Sequence, residues 1–173
     1  MREVDRVTDL LTQTYHGDAA GMAWLRHVAA AFRGAIEAAR AERAPGALPY
    51  FPEGACRMTS RLFAQHLAHR PDSAVIGHPQ FVSGVLPGSG AAVRHVWLEV
   101  NGAVVDLTAD PFGEPPVVVG RRTSFHDSLT SPLAEDAADA LAALSADEMA
   151  RLARQLAAIE ARLPGFTPRR SND

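Results

Sequence analysis

The stretch RHVWLEVNGAVVDLT, residues 94–108, predicts a β-hairpin with a defined register. Asn101 and Gly102 separate two runs of alternating apolar residues, and this pair is the strongest short-range signal for a two-residue type I′ turn. Such a turn determines which residues face each other across the two strands. The register places six apolar side chains on one face: Val96, Leu98, Val100, Ala103, Val105 and Leu107. We expect that face to pack on the core.

The other face of the hairpin carries polar side chains and a tryptophan. His95, Trp97 and Glu99 lie on its first strand, and Asp106 stands opposite Trp97 and diagonal to His95. Diagonal neighbours are roughly 7–8 Å apart, a gap that an imidazole and a carboxylate can close. An aspartate bonded to His Nδ1 would orient the ring and leave Nε2 for a third group. The alternative is a polar face exposed to solvent. A tryptophan on such a face predicts that another element packs over it, and we expect this element to be the helix that starts at Cys56.

The chain has one cysteine, Cys56, which follows the turn PEGA where a helical pattern begins. A thiol attacks as its thiolate, and a helix N-terminus and a neighbouring imidazolium both lower a thiol pKa. The amides of the same helical turn could receive an oxyanion. The alternative is a small buried residue, although such a cysteine usually lies within an apolar stripe. A zinc site with His66 and His69 would lack a second cysteine and good spacing, so we expect no metal and no cofactor.

Short runs rich in β-branched residues predict a sheet in the middle of the chain. Besides the hairpin, strands are predicted at residues 73–77, 80–86 and 115–120. A helix is predicted before them, from Cys56 to about His69. Helices, then strands, then helices indicate an α+β protein. We expect one domain over residues 1–165, with the Cys56 helix packed on an antiparallel sheet.

Helical patterns flank this middle region on both sides. Residues 1–43 predict two helices broken near His16, and residues 132–163 return to helix with a capping box at residues 145–148. The apolar stripe of the last helix predicts packing on the core, with a homodimer seam as the alternative. Residues 166–173 are predicted to form a disordered tail. Surface or capping roles are expected for His16, His27, His78 and His126.

Composition and charge exclude some classes of partner. The 173 residues carry a net charge of −3, without the basic excess that a nucleic-acid backbone requires. No apolar run reaches the roughly 20 residues that cross a bilayer, and the first residues are charged where a signal peptide is apolar. A single cysteine cannot form an internal disulfide and fits a reducing compartment. We therefore expect a cytoplasmic protein that binds neither nucleic acid nor membrane.

Three segments resemble the transglutaminase-like branch of the papain-type thiol enzymes: FPEGACRMTS, RHVWLEV and VVDLTADPF. In that superfamily Cys, His and Asp come in this order, with the Cys at a helix N-terminus and the other two on adjacent antiparallel strands. The resemblance covers roughly residues 50–126 and fits a small bacterial form. It implies Cys56 as nucleophile, His95 as general base and then acid, and Asp106 as the orienting carboxylate. Asp110 competes for the third place, but the hairpin register places it beyond the residues paired with the histidine.

The resemblance implies acyl transfer through a Cys thioester. The first expectation is an amide hydrolase or acyl transferase, of peptidase or glutamine deamidase/transglutaminase type, acting on a peptide or protein. The second is a carrier- or CoA-dependent acyltransferase or amide synthase of a biosynthetic pathway, although only Arg57 and Arg61 lie near the cysteine to bind phosphates. The third is a binding module that keeps the triad without catalysis. Candidates for a second oxyanion donor or a substrate contact are Tyr50, Gln80 and Trp97.

Overall fold

The computed structural model describes residues 19–70, 77–88 and 93–164, and within them the protein is α+β with five α-helices and one five-stranded antiparallel sheet. The helices are α1 (Ala19–Ala41), α2 (Cys56–Ala68), α3 (Ser124–Ser128), α4 (Ala137–Ala142) and α5 (Ala146–Glu160). The strands are β1 (Pro79–Val85), β2 (Arg94–Val100), β3 (Ala103–Asp106), β4 (Val118–Gly120) and β5 (Thr130–Asp136). A turn of 3-10 helix (Asp110–Phe112) follows β3.

The central hairpin of the sheet has the predicted register. Leu98 of β2 stands opposite Val105 of β3, and the turn residue Asn101 has the positive φ, 50°, that a type I′ turn requires. The prediction of the hairpin is therefore confirmed. The strand order is β4-β3-β2-β1-β5, and neighbouring strands are antiparallel throughout. β2, which carries His95, is thus the middle strand.

One face of the sheet packs on helices. Leu98, Val100 and Val105 belong to a buried apolar cluster that includes side chains of α1, α2, α4 and α5. The largest helical contributors are Leu25, Phe32, Ile36, Leu62, Phe63, Leu67, Leu141, Leu152, Leu156 and Ile159. Burial of these apolar side chains supplies most of the free energy that holds the helices on the sheet. The α5 stripe lies in this cluster, so it packs on the core of its own chain, and the predicted capping box at its start is present.

The opposite face of the sheet is covered by the chain that follows β3. Trp97 lies there, and Phe125 of α3 packs against its cluster. The other buried members of this cluster are Val82, Val104, Ala109, Val118 and Leu129. The expectation that the Cys56 helix covers Trp97 is therefore wrong. That helix packs on the first face because its apolar stripe, with Leu62 and Leu67, joins the cluster of the hairpin's apolar side chains.

The segment after α3 also differs from the sequence-based expectation. Residues 132–136, predicted as helix, belong to β5, which pairs with β1 so that Ala134 faces Val82. Helix α4 begins only after Asp136, whose side chain accepts two backbone N–H bonds at the helix start. Pairing with the edge of β1 outweighs the weak strand propensity of this segment.

The remaining predictions lie at or beyond the limits of the described residues. The helix expected before residue 19, most of the strand expected at residues 73–77 and the tail at residues 166–173 fall outside them. None of the helices in the described ranges combines the length and the apolarity that crossing a bilayer would require.

Candidate active site

Helix α2 begins at Cys56, the position that the sequence predicts. The loop before it is anchored by Phe51, whose side chain is fully buried. It turns at Gly54, whose φ of 66° lies in the left-handed region that favours glycine. No side chain caps the helix at Ala55. The N-terminus of α2 therefore presents its partial positive charge to the thiol.

The thiol of Cys56 lies between the start of α2 and the start of β2. Its Sγ is 4.0 Å from the carbonyl oxygen of Arg94 and contacts the backbone amides of Arg57 and Val96. It also contacts the His95 side chain. The side chain is partly exposed to solvent. The single cysteine of the chain thus meets the histidine that the hairpin register brings forward.

His95 and Asp106 form a buried hydrogen-bonded pair. Nε2 of His95 lies 2.5 Å from Oδ2 of Asp106, and each side chain is 1% exposed. The diagonal placement expected from the turn therefore brings the two groups together. The ring nitrogen differs from the expected one, because Asp106 bonds Nε2 rather than Nδ1. Nδ1 is the nitrogen nearer the main chain, and the thiol lies close to the main chain of β2.

Asp106 accepts four hydrogen bonds. Oδ1 accepts from the backbone N–H and the hydroxyl of Thr108, at 2.8 and 3.1 Å. Oδ2 accepts from His95 and, at 3.2 Å, from Nε2 of His126. Burial alone would raise the pKa of Asp106, but the hydrogen bonds from the two histidines outweigh burial and hold it well below its usual range. The carboxylate is therefore ionised at neutral pH.

The charges of Cys56 and His95 support each other. Burial alone would lower the pKa of His95, but its hydrogen bonds with Asp106 and Cys56 raise it to about 9. Burial alone would raise the pKa of the Cys56 thiol, but the hydrogen bond and the charge of His95 lower it below its ordinary value. The two groups titrate as a pair that shares one proton. At neutral pH this favours a thiolate beside an imidazolium.

His126, for which the sequence predicts a surface or capping role, is buried beside this pair. Besides its bond to Asp106, its ring makes an edge contact with Trp97 at a centroid distance of 5.1 Å. Its Nδ1 lies 2.9 Å from the hydroxyl of Thr123, which donates to Glu114 at 2.8 Å. The capping expectation is confirmed in part, since Thr123 and His126 form a capping box at the start of α3. No local spacing signals the contact with Asp106, which is 20 residues away in sequence.

Two of the candidate oxyanion donors are not placed at the thiol. Trp97 is 1% exposed, and its indole N–H already donates to Oε1 of Glu99 at 3.1 Å. Gln80 of β1 stands opposite Glu99, four residues along the strand from Gly84, which faces His95. That separation is roughly 13 Å. Gln80 therefore lies away from the start of β2, and the indole N–H of Trp97 is already bonded; the candidate roles of both side chains stay predictions.

Asp110 belongs to a separate cluster around a buried arginine of α1. Both of its carboxylate oxygens accept from the guanidinium of Arg33 at 2.9 Å. Arg33 also donates to the carbonyl oxygens of Leu107 and Pro116, each at 2.8 Å, and lies 4.9 Å from the ring centroid of Phe51. This arginine ties α1 to the chain on both sides of the 3-10 turn. The register argument that placed Asp110 beyond the histidine is confirmed.

Aromatic rings surround the imidazole of His95. Phe112 and Phe125 approach it edge-on, with centroids at 5.1 and 5.4 Å, and stack on each other at 4.7 Å. Trp97 is stacked with it at 6.0 Å. Phe112 is 41% exposed, so this aromatic group reaches the surface. Tyr50, the remaining candidate contact, is 79% exposed in the loop before α2.

Two imidazoles and a carboxylate that lie close together could also be ligands of a metal ion. In the described part of the chain the one such group is His95, Asp106 and His126, whose nitrogen and oxygen atoms lie within 4.8 Å of one another. The bonds between them, at 2.5 and 3.2 Å, are hydrogen-bond distances, and Thr108 occupies the other carboxylate oxygen. The atoms that would bind a cation are thus bonded to each other. We assign the group as a hydrogen-bond network.

Comparison with protein-family models, with curated proteins and with solved structures finds no match to this chain. The chemistry of the site is therefore argued from its own residues. They are a partly exposed thiol at a helix N-terminus, an imidazole on the middle strand and an ionised carboxylate on the next strand. Such an arrangement can hold a thiolate and deliver a proton to a group bound beside it.

Proposed function

We propose that this protein is a thiol-dependent enzyme that cleaves or transfers an amide of a peptide or protein through a thioester on Cys56. The observation that carries the proposal is that Cys56 at the start of α2 interacts with His95, which in turn is hydrogen-bonded to Asp106. The lowered thiol pKa and the raised imidazole pKa support it, since both favour the reactive ion pair. The succession of α2, β2 and β3 also supports a papain/transglutaminase-like core for this part of the fold.

The proposed first half-reaction forms a thioester. The thiolate of Cys56 attacks the carbonyl carbon of the amide, and the π electrons of the carbonyl move to its oxygen. The amides of the first turn of α2 stabilise this oxyanion. When the carbonyl re-forms, the C–N bond breaks and the proton of His95 passes to the leaving nitrogen. The amine departs, and the acyl group stays on sulfur.

The second half-reaction releases the acyl group. His95, now neutral, accepts a proton from water or from an amine as that nucleophile attacks the thioester carbonyl. Collapse of the intermediate returns an electron pair to sulfur and restores the thiolate and the imidazolium. Asp106 stays ionised throughout and keeps the ring oriented. Water as the acceptor gives hydrolysis, which is the first choice here, and an amine gives transfer.

Alkylation by iodoacetamide between pH 5 and 9 tests the proposal. Because Cys56 is the only cysteine, all labelling of thiol reports on this position. We expect wild-type labelling to persist well below pH 8. In His95→Ala the midpoint should move to the ordinary thiol value or above it, because the burial of the thiol remains while the imidazolium is lost. At pH 6 we expect His95→Ala to be labelled about 100-fold more slowly than the wild type, because the thiol is then mostly protonated.

The matched control is His27→Ala, which removes an exposed histidine of α1. The labelling profile of His27→Ala should coincide with that of the wild type. Circular dichroism should show the same helix content in His27→Ala and His95→Ala. An ordinary thiol profile in the wild type would contradict the proposal. That result would favour a binding module that keeps the three residues without catalysis.

Mass spectrometry of the acylated protein separates the two classes of acyl donor. The protein is incubated with a glutamine-containing peptide or with an acyl-CoA, and Cys56→Ser serves as the control. An adduct formed from the peptide supports amide chemistry. An adduct formed from acyl-CoA alone would replace the proposal with a carrier- or CoA-dependent acyltransferase.

A further inference from the structure

One exposed apolar side chain touches the proposed catalytic histidine. In the described ranges the large apolar residues that are well exposed are Tyr50, Val93, Phe112 and Leu133. Of these, Phe112 makes a ring contact with His95, at a centroid distance of 5.1 Å. A scattered exposed apolar residue needs no explanation. One that contacts the proposed catalytic histidine is placed where it can contact a bound substrate.

The surroundings of His95 define the side from which a substrate can approach. Trp97, which is stacked on the imidazole, is 1% exposed and closes that side. The neighbours that reach solvent are Cys56, Phe112 and, in part, Phe125. His95 is thus in contact with both the thiol and the exposed ring of Phe112, so a substrate whose leaving nitrogen meets the imidazole comes within reach of that ring.

Phe112 is held in place before any ligand binds. Its ring stacks on Phe125 with an interplanar angle of 13°. Its 3-10 turn starts at Asp110, which Arg33 binds through both carboxylate oxygens, and is followed by Gly113, whose φ of 88° favours glycine. An aromatic surface that is already ordered loses little conformational entropy on binding.

Two carboxylates near these rings are paired with arginines. Asp110 is bound to Arg33, and Glu99 is bound to Arg122 at 2.6 Å. The exposed ring of Phe112 is itself apolar, and a charged substrate group placed against it would lose hydration without gaining either of these carboxylates as a free partner.

We propose that Phe112 is a specificity-determining residue that binds an aromatic or large aliphatic side chain of the substrate, next to the amide that Cys56 attacks. The substrate class is then a peptide or protein with such a residue beside the reacting bond. This inference rests on the proposed function, because it requires a reactive thiol at Cys56.

Two electrophiles that react by the same displacement test this inference. The Cys56 thiolate attacks the methylene carbon of iodoacetamide, the S–C bond forms, and iodide leaves with the electron pair of the C–I bond. N-benzyl-iodoacetamide reacts in the same way and adds a phenyl ring beyond the amide. Relative to the rate ratio measured with free cysteine, we expect a preference of about tenfold for the benzyl probe in the wild type, with saturation at high concentration.

Three variants test whether the preference for the benzyl probe depends on the side chain of Phe112. Phe112→Ser should reduce it to the free-cysteine ratio, whereas Phe112→Leu, which stays apolar, should keep most of it. Leu133→Ser removes an apolar side chain that is 56% exposed on β5, and should keep the wild-type preference. Taking the ratio of the two probes within each variant cancels any change in the intrinsic reactivity of the thiol.

Failure of the inference and failure of the proposed function give different results. An ordinary pH profile with iodoacetamide alone contradicts the proposed function. A thiol that reacts well below pH 8 but shows no benzyl preference overturns the inference alone. A preference that persists in Phe112→Ser, or disappears in Leu133→Ser, overturns it as well.

Discussion

The protein buries a histidine against a carboxylate on each side of its fold. His95 meets Asp106 at 2.5 Å on the sheet, and His66 meets Glu160 at 2.7 Å between α2 and α5. Both imidazoles are almost fully buried. They differ in their second interaction. The His95 side chain also interacts with Cys56, whereas Nε2 of His66 has no hydrogen-bond partner within the described residues.

The surroundings of the two imidazoles explain their different roles. His66 stacks with Phe32 at 5.0 Å and with Phe63 at 6.3 Å, inside the core that the helices form. There it ties α2 to α5. His95 lies near the start of β2, where a partly exposed thiol and an exposed phenylalanine reach it. A buried histidine and its carboxylate therefore do not make a site by themselves, and the third group with access to solvent is what distinguishes the first pair.

The largest expected effect is on thiol labelling, and it separates the two carboxylates when each is replaced by its uncharged amide. In Asp106→Asn the pKa of His95 loses its main support, so the thiolate loses its counter-ion and iodoacetamide labelling at pH 6 should fall about 100-fold. Glu160→Gln makes the matched change at the other pair. It should keep the labelling rate within about twofold and lower the free energy of unfolding by about 1–2 kcal/mol. Labelling kinetics and urea denaturation measure the two effects.

Labelling of Cys56 should begin at a different pH in Asp106→Asn than in the wild type, and the direction follows from the two pKa shifts. In the wild type His95 keeps its proton up to a pKa of about 9, and Cys56 loses its proton below its ordinary pKa. The asparagine variant should move the pKa of His95 downward and that of the thiol upward, so its labelling should begin at a higher pH. Equal losses of labelling in Asp106→Asn and Glu160→Gln would erase the distinction between the two pairs.

Much of the site could be predicted because it depends on local signals. A two-residue turn at Asn101 and Gly102 leaves no freedom in register, so the diagonal placement of His95 and Asp106 follows from it. Cys56 could be placed at a helix start because Pro and Gly punctuate the chain just before the apolar spacing of a helix begins.

The features that could not be predicted depend on contacts distant in sequence. His126 reaches Asp106 from 20 residues away, after an irregular path that no periodicity describes. Strand β5 forms because β1 offers it an edge, although its own residues do not favour a strand. The residues that pack over Trp97 and the ring nitrogen of His95 that bonds Asp106 likewise follow from how elements pack, which spacing along one element does not encode.

The next effect concerns the backbone that faces His95. A Cβ on Gly84 would lie 2.6 Å from Cβ of Leu129, an atom that moves only with its main chain. Gly84→Ala should therefore lower the free energy of unfolding by about 2 kcal/mol. Gly34→Ala, in α1 with nothing within 4 Å, is the matched control and should raise it by about 0.5–1 kcal/mol. Urea denaturation measures both, and a Gly84→Ala protein as stable as the wild type would show that this contact is not tight.

The smallest effect concerns His126, the second histidine donor that Asp106 has. His126→Leu removes this donor and leaves Asp106 with three of its four hydrogen bonds, so the free energy of unfolding should fall by about 1 kcal/mol. A less restricted carboxylate orients His95 less well, so labelling at pH 6 should fall about threefold. His126→Gln keeps an N–H donor and should restore most of both.

A double-mutant cycle decides whether His126 acts through the carboxylate. In an Asp106→Asn background, His126→Leu should cause no further loss of labelling, because the charge that His126 helps to hold is already gone. A full additional loss in that background, or a glutamine variant as impaired as the leucine variant, would mean that the ring of His126 matters through its packing against Trp97. The second histidine would then stabilise the fold as His66 does, and Asp106 would orient His95 without it.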